Sequence, residues 1–546
     1  MRKLITRINK RILNGVKIVE KPFLKQWLVY LPIIILIFYI GLSYVSYLIC
    51  PYEWPFRYDL RTGIYILLVV IALTGGYIFG AHRKSLQVTI VEINVNKFYN
   101  KLLIVGALLY IPSSYYKTGS AFPTIISSLI NPGAQYFETI KAIGNRPGYY
   151  NVLGCFYIVT FAIIILTYYY WDVLALRQRF LGGILAFLYM LIEMSSGKNI
   201  GVVILGVSIL VCYFSKICGK NLKKGRATYT LFTVFVIGLM IFMFGYNLKS
   251  RTGYSIQNEV AYEQNLVAVN ESVAKENTED ISTEDISTED VNTGEESTVD
   301  ELINTCLESD RVWIKATYDT YKLYENVYKA NLEKSADKYL EDYANKAYTV
   351  SDYYRVPDAL IYVHIDNKIY QKVPDKLKFL YTMGTSYLSN GYHGLSLALY
   401  LPFDSCFGLG HLKTVQYYLD KLFGVSGDIP SYENKLIELG WPVGLRWETV
   451  FVQFASDFSF AGTILIMFAM GWLLNKLWVE MVAGGNFITV LFFSFYCVQF
   501  FFITSWWYAG LTGGYFITFY LPLFCWIWER CVIHKTGMQK SKRVGT

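Results

Sequence analysis

Three groups of residues have types and placements that could do chemistry. The first is cationic. Lys198 tops a tight turn, Ser195-Ser196-Gly197-Lys198-Asn199, between two apolar runs, and Lys249 and Arg251 follow directly after a third. Lys413 and Arg446 come later, while Lys117, Lys141 and Arg146 precede them with no local motif. An arginine fork grips phosphate through parallel hydrogen bonds and lysine adds a point charge, so the set fits a phosphate or diphosphate. The plain alternative is snorkelling, with each stem along apolar surface and the charge at lipid headgroups.

The second group is histidine. His364, His393 and His411 lie in the C-terminal half, His393 within Ser389-Asn390-Gly391-Tyr392-His393-Gly394 and His411 after Phe407-Gly408-Leu409-Gly410. A histidine in a glycine-rich turn can act as a general base near neutral pH. Most lone histidines are structural, and His393 is the stronger candidate of the two. The third group is acidic. Glu448 follows Arg446-Trp447, and Asp457 comes nine residues later. That spacing puts them on roughly opposite faces of a shared helix, so each is expected to act alone, as a base or, more often, as an arginine's partner. Glu193 sits inside an apolar run, where a carboxylate is a functional candidate by default. A structural pair with a lysine, Lys198 being five residues away, is equally expected.

These residues need elements to position them, and composition says which kind. The 546-residue chain is 54% hydrophobic, 17% aromatic and only 17% charged, with a mean hydropathy of +0.32. A soluble domain carries about a quarter charged residues. The net charge of +8 comes from basic residues beside apolar runs, which is no nucleic-acid footprint. Nine cysteines show no zinc or redox spacing. There is no Walker motif, dinucleotide fingerprint, nucleophile elbow or zincin helix, and no adjacent acidic pair accompanies Glu53 and Asp59 to hold a metal.

About ten apolar runs approach the roughly 20 residues that a membrane-crossing helix needs. Seven run from Trp27 to Cys50, Gly63 to Gly80, Leu102 to Tyr115, Val152 to Tyr170, Phe180 to Met194, Ile200 to Phe214 and Thr228 to Tyr246. Three more run from Phe458 to Trp478, Phe487 to Ser505 and Tyr515 to Trp528. The expected fold is therefore an all-α polytopic membrane protein with about ten transmembrane helices. Residues 1–26 form a basic tail, 27–246 hold seven spans, 247–457 form one large extracytoplasmic loop, 458–528 hold three spans, and 529–546 form a second basic tail. Lysine and arginine stay cytoplasmic in short loops, so both termini are expected inside. The connection from Val479 to Asn486 is an exception, with only Lys476 near it.

The large loop is uneven. Residues 259–310 repeat Thr-Glu-Asp-Ile-Ser and carry one lysine among many carboxylates, which predicts a disordered acidic insertion. Val312 to Asp342 has the spacing of amphipathic helices. Leu395 to Leu401 is too short to span and reads as a re-entrant piece.

In order along the chain stand Ser195 to Asn199, Arg251, Gly391-Tyr392-His393-Gly394-Leu395-Ser396 and Phe407-Gly408-Leu409-Gly410. Trp447-Glu448-Thr449-Val450-Phe451 and Ser456-Asp457-Phe458-Ser459-Phe460-Ala461-Gly462 follow. With the span layout and the loop before the last three spans, this order resembles the bacterial Wzy-type oligosaccharide repeat-unit polymerases of O-antigen, capsule and exopolysaccharide synthesis. The resemblance covers most of the chain outside about 255–375 and departs at Lys198, where the family often has arginine, and at the acidic insertion.

The resemblance implies a GT-C-like helical fold in the bacterial cytoplasmic membrane and a metal-independent glycosyltransferase without cofactors. Its substrates would be a glycan on undecaprenyl diphosphate as donor and one repeat unit on the same lipid as acceptor. A flippase and a chain-length regulator would be protein partners, with no nucleic acid. Arg251, Lys198 and Arg446 would stabilise the diphosphate leaving group, and His393, Asp457 or Glu448 would serve as the base. An O-antigen ligase shares these features and differs in acceptor. A flippase or transporter would show inverted repeats and mid-membrane polar residues, and none stand out beyond Glu193.

Deleting Glu276 to Asp300 should leave activity intact at unchanged protein level. Loss of activity with full abundance would show that the acidic segment is not a passive insertion.

Overall fold

The computed structural model describes residues 16–20, 26–51, 58–82, 87–91, 94–122, 153–196, 199–219, 229–247, 353–356, 361–364, 367–424, 429–438, 447–511 and 513–544, with isolated positions at 130–139 and 227. Helices α1 (Leu31–Ile49), α2 (Leu60–Ala81), α3 (Val95–Thr118), α4 (Ile158–Tyr170), α5 (Leu176–Ser195) and α6 (Asn199–Cys218) come first, then α7 (Tyr229–Asn247). Helices α8 (Asp375–Ala398), α9 (Lys413–Phe423), α10 (Tyr432–Glu438), α11 (Val450–Val482), α12 (Phe487–Phe501) and α13 (Gly514–Val544) follow.

Seven of the described helices are long and apolar enough to cross a membrane: α1, α2, α4 with its lead from Leu153, α6, α7, α11 and α13. The chain is a multi-pass membrane protein. Helix α12 is apolar but shorter. Helices α3 and α5 cover the two remaining runs, and their sequences hold Lys97, Lys101 and Lys117, and Arg177, Arg179 and Glu193.

The membrane-crossing elements are all helices, as expected, and short ribbons accompany them. Two antiparallel ribbons occur among the described residues, β1 (Val16–Glu20) with β2 (Gln87–Val91), and β3 (Tyr353–Val356) with β4 (Ile361–His364). The first joins the basic tail to the basic loop after α2, so those two segments lie at the same level. The eighth apolar run also begins earlier than its composition implies, because α11 starts at Val450.

Side-chain caps fix several helix starts. Asp59 accepts from Thr62 N at 3.1 Å ahead of α2, and Asn486 accepts from Ile488 N and Thr489 N at 3.0 Å ahead of α12. Each satisfies backbone donors that the first helical turn leaves without a partner. Between spans, close packing replaces the hydrophobic drive that lipid cannot supply. Helices α2 and α11 touch backbone to backbone: a Cβ on Gly76 would lie 1.9 Å from Phe468 O, and one on Gly471 2.1 Å from Leu73 O. Their outer faces expose Ile64, Leu67, Leu465 and Phe468, as lipid contact requires.

Contacts sort the helix ends into two levels. At one, Lys117 in the last turn of α3 meets Glu193 of α5 at 2.8 Å and donates to Tyr157 Oη at 2.8 Å. Tyr157 Oη in turn donates to Glu193. A Cβ on Gly201 at the start of α6 would collide with the Glu193 carboxylate, and Gly514 N at the start of α13 donates to Tyr116 Oη at 2.9 Å. At the other level, Tyr170 reaches Gly485 O at 3.2 Å, Lys216 pairs with Asp172, and Asn486 donates to Glu529 at 3.0 Å. Lys117 is buried, and its contact with Glu193 is a carboxylate–lysine pair of the structural kind expected.

Removing one partner of a buried ion pair leaves an uncompensated charge and costs about 3–5 kcal/mol. Lys117→Met should therefore lower the thermal unfolding temperature in detergent clearly, and Lys117→Met with Glu193→Gln should recover most of the loss. A loss in the double variant equal to the sum of the losses in Lys117→Met and Glu193→Gln alone would show that the pair carries no coupling.

Candidate functional site

The site starts from a break in α11. Ser459 has φ 62° and ψ 167° inside the helix. A break of this kind deprives the preceding carbonyls of their helical donors. The segment 402–412 supplies replacements: Cys406 N donates to Ser456 O at 3.0 Å, and Ser405 Oγ to Asp457 O at 3.2 Å.

Asp457 returns the favour through its side chain. One oxygen accepts from Gly408 N at 2.8 Å and Gly410 N at 3.0 Å. The other accepts from His411 N at 2.9 Å and contacts His411 Nδ1 at 2.5 Å. An ionised carboxylate is acceptor-only with about four lone-pair sites, and four donors converge on this one. Two glycines make the approach possible. Gly408 has φ 91°, and a Cβ on Gly410 would lie 2.5 Å from Ser456 Cβ.

The Asp457 side chain is fully buried and that of His411 is 12% exposed. The imidazole lies against Phe454 and Phe458, at 5.0 and 5.7 Å between ring centres. With Nδ1–H directed at the carboxylate, the lone pair falls on Nε2, the second-partner control that sets a histidine tautomer. Such a pair can accept a proton at Nε2 while the carboxylate holds the ring and balances the charge that forms.

Glu448 lies just before α11 and is wholly buried. Its oxygens accept from Gln453 Nε2 at 3.1 Å and Trp506 Nε1 at 3.4 Å. Gln453 Oε1 accepts from Trp507 N at 2.7 Å, which ties the turn before α13 to α11. Burial pushes the Glu448 carboxyl up to about 7, and Glu433 nearby adds to the rise against the Gln453 bond and Lys413. Helices α9 and α10 clasp the group: Lys413 pairs with Glu433, Lys435 meets Asp404 at 2.6 Å, and Tyr432 N donates to Ser456 Oγ at 3.0 Å.

The sequence candidates separate accordingly. Asp457 joins His411, the lesser histidine candidate, although 46 residues separate them. Glu448 and Asp457 have different partners, as their spacing implied. His393 is not in a turn: it lies inside α8, 1% exposed. The flanking glycines serve close packing instead, because a Cβ on Gly391 would lie 1.9 Å from Thr504 O and one on Gly394 3.1 Å from Glu448 Cα. Leu395 to Ala398 closes α8 rather than forming a separate re-entrant piece.

Asp59, besides capping α2, accepts from Tyr400 Oη at 2.8 Å. Lys198, Arg251, Arg446, the acidic insertion and Val312 to Asp342 lie outside the described residues. Gln453, Trp506 and Ser405 were not legible as site residues, since their roles depend on contacts across distant segments. Among the described residues, no three histidine, cysteine or carboxylate side chains gather as a metal site would require. No family model, curated protein or solved structure matches the chain.

A carboxyl raised from 4.5 to about 7 in the folded protein binds its proton more tightly than in the unfolded chain. Its contribution to stability is complete below the unfolded value and is lost as pH rises through about 7. Glu448→Gln should flatten that fall in unfolding temperature between about pH 5 and pH 8. An unchanged slope would remove Glu448 as its source.

Proposed function

We propose that the protein joins undecaprenyl-diphosphate-linked oligosaccharide repeat units at the outer leaflet of a bacterial cytoplasmic membrane, with both termini inside. The reading takes all ten apolar runs as spans of a GT-C-like fold. The observation that carries it is the His411–Asp457 pair at the broken end of a membrane-crossing helix. In the reaction, the bond from the donor sugar to the carrier diphosphate breaks. An acceptor hydroxyl oxygen takes that sugar carbon, and its proton goes to a base.

His411 Nε2 is the base in this reading, and Asp457 positions it. Glu448 is a second proton-holding group, able to exchange near neutral pH. Arg251, Lys198 and Arg446 would hold the departing diphosphate, whose charge grows in the transition state. His393 is the competing base. The step needs a positioned base and cations and no redox change.

The test is the length distribution of surface glycan in a strain lacking the gene and complemented with variants. The deletion should leave glycans of one repeat unit that still reach the surface. His411→Ala should do the same, with a rate loss of about 10²–10⁴-fold, while His393→Ala retains polymer. Full-length polymer held on its carrier would mean a ligase, and units trapped on the cytoplasmic leaflet a flippase. Retained polymer in His411→Ala with loss in His393→Ala would move the base to His393.

A further inference from the structure

Helix α9 is tied down at one end and uncovered at the other. In its first turn Lys413 pairs with Glu433, and Thr414 Oγ1 donates to Leu511 O at 2.5 Å. Further along, Tyr417, Tyr418, Leu422 and Phe423 are 39%, 40%, 71% and 71% exposed. The preceding segment adds Phe403 at 43% and Phe407 at 92%. Six large apolar side chains thus stand uncovered within residues 403–423. A water-facing surface would not gather so many, and a patch of this kind marks an interaction site.

The neighbours of α9 fix its level. Leu511 leads into α13, a membrane-crossing helix. Tyr418 lies within electrostatic range of Cys155, which leads into α4. The Phe407 segment is bonded to Ser456 and Asp457 near the start of α11. Helix α9 therefore lies at the level where three spans begin. The lipid-facing side of α11 starts at that same plane, with Phe458 46% exposed and Leu465 74%. Phe407 also has φ 51°, a backbone conformation rare for a bulky residue, and it directs a large ring outward.

We propose that α9 and the Phe403–Phe407 tip form an in-plane membrane element, with their aromatic and leucine side chains seated in the acyl region of the leaflet. The occupant of the surface is the bilayer itself. Continuity with the exposed side of α11 and the position of α9 at the level of three span starts argue for lipid over a protein partner. An amphipathic segment of this kind buries its apolar side several ångströms below the headgroups, and Lys421, exposed beside Leu422, reaches back to their phosphates. Because His411 lies between Phe407 and α9, the element sets the depth of the His411–Asp457 pair at the membrane surface. This inference rests on the membrane-spanning character of the chain and not on the polymerase reading.

The test places a photo-crosslinking benzoylphenylalanine at Phe407, Leu422, Asp420 or Leu465 in the full-length protein in native membranes. Irradiation should add the mass of one phospholipid at Phe407 and Leu422, as at the lipid-facing control Leu465, and none at Asp420. In parallel, the unaltered protein in vesicles carrying a diazirine on the acyl chain should be labelled within residues 403–423. Lipid adducts at Leu465 but not at Phe407 or Leu422, with no acyl-chain label in 403–423, would overturn the proposal. Adducts of Phe407 to another protein, or equal lipid capture at Asp420, would overturn it too.

Discussion

One carboxylate organises the region around the candidate site. Asp457 gathers three backbone N–H groups and an imidazole from a single short segment. That segment in turn caps the carbonyls near the break in α11. Neither half is stable alone: the broken helix would expose buried acceptors, and residues 405–411 would have buried donors with nothing to bind. An unpaired buried polar group costs about 1–3 kcal/mol, so the exchange of hydrogen bonds holds the break and the loop as one unit. Helices α9 and α10 are then fastened to that unit by ion pairs and by Tyr432 N on Ser456.

The frame beneath it is set by different physics. Within lipid, burial of apolar surface gives no net drive, and helices meet where small residues let backbones close. Gly76 and Gly471 do this between α2 and α11, and Gly391 and Gly394 do it between α8 and the segments around Glu448 and Thr504. The Lys117–Tyr157–Glu193 group then gathers the ends of α3, α5 and the lead into α4 at one level. Helix α11 links the two regimes, because its long second half lies in the apolar frame and its first turns lie in the polar site.

Sequence periodicity and apolar run length reveal where the helices are, because hydrophobic matching to lipid is a local property. Among the described residues, each of the ten apolar runs falls mainly on a helix, and seven of those helices have the length and apolarity to cross. Partner choice is not local. Glu193 is met by Lys117, which lies 76 positions earlier in the chain and is brought to it by helix packing. Gly391 and Gly394 look the same in a sequence whether they make a turn or a close helix contact, so His393 carried the wrong local structure. For His411, the glycines at 408 and 410 were the visible signal. What could not be seen was the carboxylate 46 residues away that uses their backbone donors.

In the proposed reaction Asp457 and His411 act as one unit. The most direct measurement is a double-mutant cycle with protein reconstituted in vesicles, following consumption of the proposed substrate, a purified undecaprenyl-diphosphate-linked repeat unit, by His411→Ala, Asp457→Asn and the combined variant. If the pair acts together, the combined variant is no slower than the slower single variant, because each change removes the same function. Losses that multiply across the two positions would show that Asp457 and His411 act independently and that their contact does not make them a catalytic pair.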